Sequence, residues 1–184
     1  MPLTRRQPGS GPELSRRIAM STQQVFNFLA LAGLPVCWVD GASGFVPGVR
    51  ILNGVLAIDP RKALASDVLH EAGHLCVVPG RFRHLMGEDV DAGVQAMLAQ
   101  CRHLDPDDPL MVQVMQSGEC EATAWSWAAG MHLGLDPQII IENASFEGTG
   151  AQLRLALKMG HHFGVHGPTS GPVFPHLRRW LQTH

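Results

Sequence analysis

The stretch from residue 49 to residue 78 constrains the fold of this chain more than any other part of its sequence. It begins with VRILNGVLAID, in which two apolar arms flank Asn53-Gly54. This dipeptide is favoured in the two-residue type I′ turn of a β-hairpin. Asp59-Pro60 then ends the second arm and is suited to starting a helix, since Asp is a frequent N-cap and Pro a frequent first helical residue. Ser66 or Asp67 is a second candidate start. In either case, residues 63–78, ALASDVLHEAGHLCVV, are predicted to form the helix that follows.

The residue pattern in the rest of the chain predicts mostly helices. Apolar residues recur at helical spacing in several segments, and Gly and Pro separate these segments. The predicted helices are residues 22–32, 90–101, 110–132, 150–160 and 174–182; residues 34–40 are predicted as a strand, residues 79–88 as a loop and residues 139–148 as a strand and turn. The predicted fold class is α+β, with a small N-terminal sheet and its hairpin packed on a mostly helical core.

Length and composition favour one folded domain. A chain of 184 residues can bury one sizeable core, and we expect residues 21–184 to form it. Residues 1–20 are rich in Arg, Pro, Gly and Ser and are expected to be a flexible tail, with Met20 as an alternative start of the protein. The net charge of −2 predicts no basic face, so nucleic acid is not an expected partner. No apolar run reaches the roughly 18 residues that a membrane span needs, so no membrane is expected either.

The cysteines also limit the class of protein. The chain has four, at positions 37, 76, 101 and 120, and none of them form a C-x-x-C pair. A zinc ribbon is therefore not expected. A disulfide framework is unusual in a chain of this length, so reduced, partly buried thiols in a cytoplasmic protein are predicted.

The predicted helix at 63–78 contains LHEAGHL, in which His70, Glu71 and His74 follow the order H-E-x-x-H. Residues i and i+4 lie about 6 Å apart along one side of a helix, so His70 and His74 can bind one tetrahedral zinc ion. Glu71 lies about 100° around the helix from His70, which suits it to accept a proton from a water that the zinc activates. This division of roles is the known logic of the motif in metalloproteases.

Catalytic zinc usually takes a third protein ligand, and SGECEATAW offers two candidates. Glu119 and Glu121 are about 200° apart on a helix, so only one of them can face the metal. Glu119 shares its side of the helix with Thr123 and Ser126, whose small side chains suit close packing against another helix. Glu121 shares its side with Trp125. We therefore favour Glu119, with Glu121 as the alternative third ligand.

LHEAGHL, followed downstream by ECEATAWSWAAG, resembles the IrrE/ImmA-type zinc metallopeptidase-like proteins over residues 49–78 and 116–131. The resemblance implies a gluzincin-like core in which His70, His74 and a helix-borne Glu bind Zn²⁺ and Glu71 is the general base. Thr123 stands where the family pattern has Asn or Asp. The chain also contains no tyrosine, a residue that helps to stabilise the oxyanion in many zinc peptidases. The histidines that are candidates to replace it are His84, His103, His161, His162 and His166.

Three functions are open at this point. The favoured prediction is a zinc metallopeptidase that hydrolyses peptide bonds in a peptide or protein substrate. The alternative is a zinc-binding regulatory or interaction module on the same scaffold, without efficient proteolysis. The third possibility is a metal-free structural protein in which His70 and His74 are only packed side chains. One arm of the 49–59 hairpin is a candidate edge strand for an extended substrate, and GHHFGVH at 160–166 is either a histidine-rich surface loop or a second metal cluster.

Overall fold

The first helix, α1 (Pro12–Leu31), is longer than the sequence analysis predicted. The computed structural model describes residues 12–159, 163–164 and 167–168, with side chains for residues 21–159. Residues 12–20 therefore lie in a helix and not in the tail predicted for residues 1–20. The physical reason is that, after Pro12, neither Gly nor Pro interrupts the chain before Gly33. Residues 1–11 of that tail and the predicted 174–182 helix lie outside the described residues.

The predicted hairpin is confirmed. Strands β2 (Val49–Leu52) and β3 (Val55–Ile58) pair antiparallel, and β1 (Val36–Trp38) joins β3 in parallel, which gives the strand order β1-β3-β2. Asn53 and Gly54 between the strands have φ angles of 51° and 77°. Two consecutive positive φ values are characteristic of a type I′ turn, as the Asn-Gly pair predicts.

One face of this sheet packs on the predicted motif helix, α2 (Ala65–Val77). The inward side chains of the hairpin are almost fully buried, together with apolar residues of α1 and α2: Val25, Leu29, Val49, Ile51, Leu56, Ile58, Leu69 and Leu75. Burying each such side chain contributes about 1.5–3 kcal/mol to the hydrophobic driving force. The alternation of buried and exposed residues along β2 fixes the strand register and anchors α2 against the sheet.

The segment predicted as one helix over 110–132 is two helices, so that prediction was wrong. After α2, the chain forms a 3-10 helix (Gly80–Leu85) within the predicted loop, and then α3 (Val90–Cys101). The segment 110–132 follows as α4 (Pro109–Met115) and α5 (Glu119–His132). Ser117 and Gly118 separate them. Gly118 has extended dihedral angles, and the buried Ser117 hydroxyl donates a hydrogen bond to the backbone oxygen of Gln113. Gly disfavours a helix interior, so a local polar contact is enough to break the helix here.

The strand predicted within 139–148 is also wrong. Pro137–Ile140 form the one-turn helix α6, because Asp136 accepts a hydrogen bond from the backbone N–H of Gln138 and Pro137 starts the turn. Residues Ser145–Gly148, labelled α7, include Phe146 and Glu147 with left-handed dihedral angles. The predicted helix at 150–160 is confirmed as α8 (Gly150–Lys158).

The predicted α+β class is confirmed. Two-residue strands β4 (Phe163–Gly164) and β5 (Gly167–Pro168) pair antiparallel after α8. Within the described part of the chain, no helix is both long enough and apolar enough to cross a membrane.

Candidate metal centre

Helix α2 presents the two histidines of the motif side by side. Their spacing of one helical turn brings the Nε2 atoms of His70 and His74 to 3.2 Å from each other. The His74 side chain is 5% exposed and that of His70 is 26% exposed. The pair therefore lies at the edge of the core, with one ring open to a cleft.

Helix α5 brings Glu119 to the same point. The carboxylate oxygens of Glu119 lie 3.2 Å from Nε2 of His70 and 3.3 Å from Nε2 of His74. The three side chains form a candidate metal-binding group whose ligand atoms all lie within 4.8 Å of one another. Because the helix break at Gly118 starts α5 at Glu119, this carboxylate lies in the first turn of α5, directly across from α2.

Gly73 allows α2 and α5 to approach closely enough for this contact. A Cβ atom added at Gly73 would lie 2.4 Å from the backbone oxygen of Ala122 and 3.0 Å from its carbonyl carbon. No larger residue fits there without moving one of the helices. The small residue inside H-E-x-x-H therefore sets the distance between the histidines and Glu119.

The alternative ligand Glu121 lies elsewhere. Its carboxylate accepts hydrogen bonds from backbone N–H groups at the start of α5, including that of Gly118. Burial raises the pKa of Glu121, and these hydrogen bonds oppose the rise. Of the two candidates, Glu119 contacts the histidines, whereas Glu121 caps the N-terminus of its own helix.

Electrostatics favour an ionised Glu119. Burial alone would raise the pKa of Glu119, but hydrogen bonds with His70 and His74 outweigh burial and hold the pKa well below its ordinary value. For His70, burial lowers the pKa, and the contact with Glu119 more than offsets this effect, so the pKa is raised. The buried Thr123 hydroxyl, 3.4 Å from Oε1 of Glu119, supplies a further donor at this carboxylate. Thr123 thus occupies the position where the resemblance led us to expect Asn or Asp.

Glu71, the predicted general base, is 8% exposed. Burial is the main cause that raises its pKa above the ordinary value, and the neighbouring histidines oppose this rise. Its carboxyl group interacts electrostatically with His70, His74 and Glu119. Glu71 is therefore close to the group, although its side chain does not line the adjoining cavity.

The donor set and the geometry fit a zinc ion. Two His and one Glu are the protein ligands in one class of catalytic zinc site, which leaves a fourth position open. Two ligand atoms of a tetrahedral zinc with bonds of about 2.0 Å lie about 3.3 Å apart. The Nε2 atoms of His70 and His74 are 3.2 Å apart, which is close to this value. The two oxygens of Glu119 each approach one ring, Oε1 at 3.2 Å from Nε2 of His70 and Oε2 at 3.3 Å from Nε2 of His74. The buried Nδ1 atom of His74 has no hydrogen-bond partner in the described part of the chain, unlike most zinc-bound histidines.

A cavity of about 390 Å³ opens beside His70 and Glu119. Its lining includes Asp67, three positions before His70 on the same side of α2, and Glu142 from the segment after α6. Neither was singled out from the sequence. Asp67 could have been predicted from the sequence, because a residue three positions before His70 lies on the same side of a helix. Glu142 could not, because only the packing of α6 against α2 and α5 brings it to the site.

The other histidines that the sequence singled out form two groups. His84 and His103, which were candidates to replace a tyrosine near the oxyanion, do not line the cavity. The histidines at positions 161, 162 and 166 lie outside the described residues, so the favoured surface loop there and the alternative, a second metal cluster, both stay predictions.

Comparison with protein-family models, curated proteins and solved structures finds no match to this chain. The resemblance to IrrE/ImmA-type proteins stays a prediction from the two sequence motifs. The chemistry of the site therefore depends on its own residues and distances.

Proposed function

We propose that this protein is a zinc-dependent metallopeptidase. The observation that carries the proposal is the convergence of His70 and His74 from α2 with Glu119 from α5, with one possible ligand atom of each side chain within 4.8 Å of the others. The contact of the half-exposed Glu119 with both imidazoles at once supports the proposal.

Each residue has a distinct role in this proposal. His70, His74 and Glu119 would hold the ion, and Thr123 would orient the Glu119 carboxylate. A zinc ion held there supplies Lewis-acid polarisation of a carbonyl and lowers the pKa of water to about 7. Glu71 accepts the proton of the attacking water and returns it to the leaving amine.

The substrate is proposed to be an extended peptide. Strand β2 lies at the edge of the sheet, as the candidate edge strand requires. Phe45 and Val46, shortly before β2, line the cavity beside His70. An extended peptide that pairs with such an edge makes backbone hydrogen bonds and places alternate side chains toward the site.

Metal analysis of purified protein tests the zinc site. We expect about one zinc per chain in the wild type and a loss of zinc in His74→Ala and Glu119→Gln. Glu121→Gln is the matched control, because it changes the same chemical group two residues away and should keep the metal. Equal zinc content in Glu119→Gln and Glu121→Gln would refute the ligand assignment.

Turnover is tested separately with a random peptide pool and mass spectrometry of the products. Glu71→Gln should keep its zinc and lose hydrolysis, and unchanged hydrolysis in this variant would overturn the role of Glu71. The absence of tyrosine from the sequence favours the second candidate, a zinc-binding regulatory module. A zinc-loaded, folded wild type that cleaves nothing in the pool would support that candidate.

We also propose a cytoplasmic setting. The four cysteines are free thiols in the structure, and Cys101 is buried. Thiols persist in a reducing compartment, where structural disulfides are rare.

A further inference from the structure

The cavity beside the metal centre is large enough to hold a substrate side chain. Its volume of about 390 Å³ lies within the range of ligand pockets, roughly 300–1,000 Å³. His70 and Glu119 form part of its wall. A group bound in it would therefore adjoin the bond that the proposed peptidase cleaves.

Much of the wall is apolar. Leu64 and Ile140 line it together with Phe146, which the left-handed turn of α7 carries toward the cavity. Phe45 lies at the mouth and is 91% exposed, in a tight turn that the Ser43–Pro47 bridge closes. A large aromatic side chain left in water at the mouth of a cavity is a surface available to an aliphatic chain.

Two carboxylates, those of Asp67 and Glu142, give the same cavity a negative charge. They are close enough to interact, since Glu142 contributes to raising the pKa of Asp67, although burial is the main cause. No Lys or Arg lines the cavity, and among the described residues neither carboxylate forms an ion pair with one. Arg154 lies nearby, but its guanidinium donates to the backbone oxygen of Ile141 and to Oδ1 of Asn143.

We propose that this cavity binds a lysine or arginine side chain of the peptide substrate, next to the bond that is cleaved. The inference rests on the proposed metallopeptidase function and adds its side-chain preference. Lys and Arg match the cavity because their aliphatic stems pack on apolar walls while their charged ends reach carboxylates. A neutral apolar side chain fills the walls equally well, but it removes water from the Asp67 carboxylate. The Ser66 hydroxyl, 3.4 Å from Oδ1 of Asp67, does not replace all of that hydration, so covering Asp67 in this way costs free energy.

The test uses a pool of random decapeptides and two readouts. In the first, zinc-loaded wild type cleaves the pool, and mass spectrometry identifies the residues that flank the cleaved bonds. In the second, immobilised zinc-loaded Glu71→Gln retains peptides from the same pool, which are then sequenced. We expect Lys and Arg to be enriched at least tenfold over Leu and Met in cleaved sites and in retained peptides.

Variants link this preference to the cavity. Glu142→Gln should reduce the enrichment by about threefold, the scale of one partly exposed ion pair. Adding Asp67→Asn should remove most of the remaining preference. Asp67 also lies in the first turn of α2, so Glu142→Gln alone is the variant that leaves the helix unchanged. Glu147→Gln is the matched control, because Glu147 lies five residues away and does not line the cavity.

The outcomes separate the two proposals. A wild type that cleaves nothing refutes the peptidase, while the peptides retained by Glu71→Gln still report the preference of the cavity. Equal enrichment of Lys and Leu in the retained pool, retention of no peptide, or equal effects of Glu142→Gln and Glu147→Gln would overturn the basic-side-chain proposal.

Discussion

Replacing Gly73 by Ala tests whether the close approach of α2 and α5 sets up the metal centre. In an open helix position this change stabilises a protein, by roughly 1 kcal/mol, because Ala is the better helix former. At Gly73 the new Cβ would lie 2.4 Å from the backbone oxygen of Ala122. Ordinary contact needs a separation of about 3.4 Å, so the helices must move apart by about 1 Å. The obstacle is backbone on α5, which cannot rotate away as a side chain does.

This displacement is larger than the proposed zinc site would tolerate. Zinc sites keep ligand distances to within about 0.2 Å, and Glu119 lies on α5 only three residues before Ala122. We expect Gly73→Ala to weaken zinc binding by about tenfold or more. Overpacking costs about 1–3 kcal/mol, which exceeds the gain in helix propensity. The melting temperature of the zinc-free protein should therefore fall by about 2–8 °C.

Zinc affinity is measured by competition with a chromophoric chelator, and stability by thermal unfolding without metal. Gly80→Ala is the control, because a Cβ at Gly80 meets nothing within 4 Å; its zinc affinity should not change and its melting temperature should not fall. If Gly73→Ala binds zinc as tightly as the wild type and melts at the same or a higher temperature, α5 does not approach α2 as described.

Three further changes probe the elements that support the site. Ser117→Ala removes the hydroxyl that donates to Gln113 between α4 and α5, and should lower the free energy of unfolding by about 1 kcal/mol in urea titrations. Gly54→Ala should destabilise the protein by about 1–3 kcal/mol, because φ is 77° at this position and the new Cβ would lie 2.5 Å from the backbone oxygen of Arg83. A variant more stable than the wild type would contradict the type I′ turn described here. Hydrogen bonding from the backbone N–H of Arg61 is the main cause that lowers the pKa of Asp59 below its ordinary value of 3.8. The ionised Asp59 therefore stabilises the fold at pH values above about 4, and this contribution is lost as the pH falls through the lower pKa of the folded state. Between pH 5 and pH 2, the melting temperature of Asp59→Asn should consequently depend less on pH than that of the wild type.

Local sequence rules predicted the elements whose conformation depends on neighbouring residues. Asn53-Gly54 predicted a type I′ turn because both residues tolerate positive φ angles, and the alternating arms predicted which face of the hairpin is buried. The proximity of His70 and His74 was predictable in the same way, because a spacing of four residues in any α-helix brings two side chains together.

The failures occurred where local signals were weak or conflicting. Periodicity continued from residue 110 to residue 132, and the sequence did not reveal that Ser117 would donate to a backbone oxygen and break the helix at Gly118. The apolar run at 139–141 favoured a strand, yet it forms one helical turn that Asp136 caps and Ile140 packs against Gly130. In both cases contacts within the folded chain outweighed the local propensity.

The sequence by itself determined the hairpin, the motif helix and the two candidate acids that could complete the metal site. The tertiary structure alone placed Glu119, and not Glu121, against the histidines and brought Asp67 and Glu142 to one cavity. The reason is physical: a helical spacing fixes side chains within one element, whereas the contact of Glu119 with the histidines depends on how closely two helices pack. That distance is set at Gly73, where α2 meets the backbone of α5.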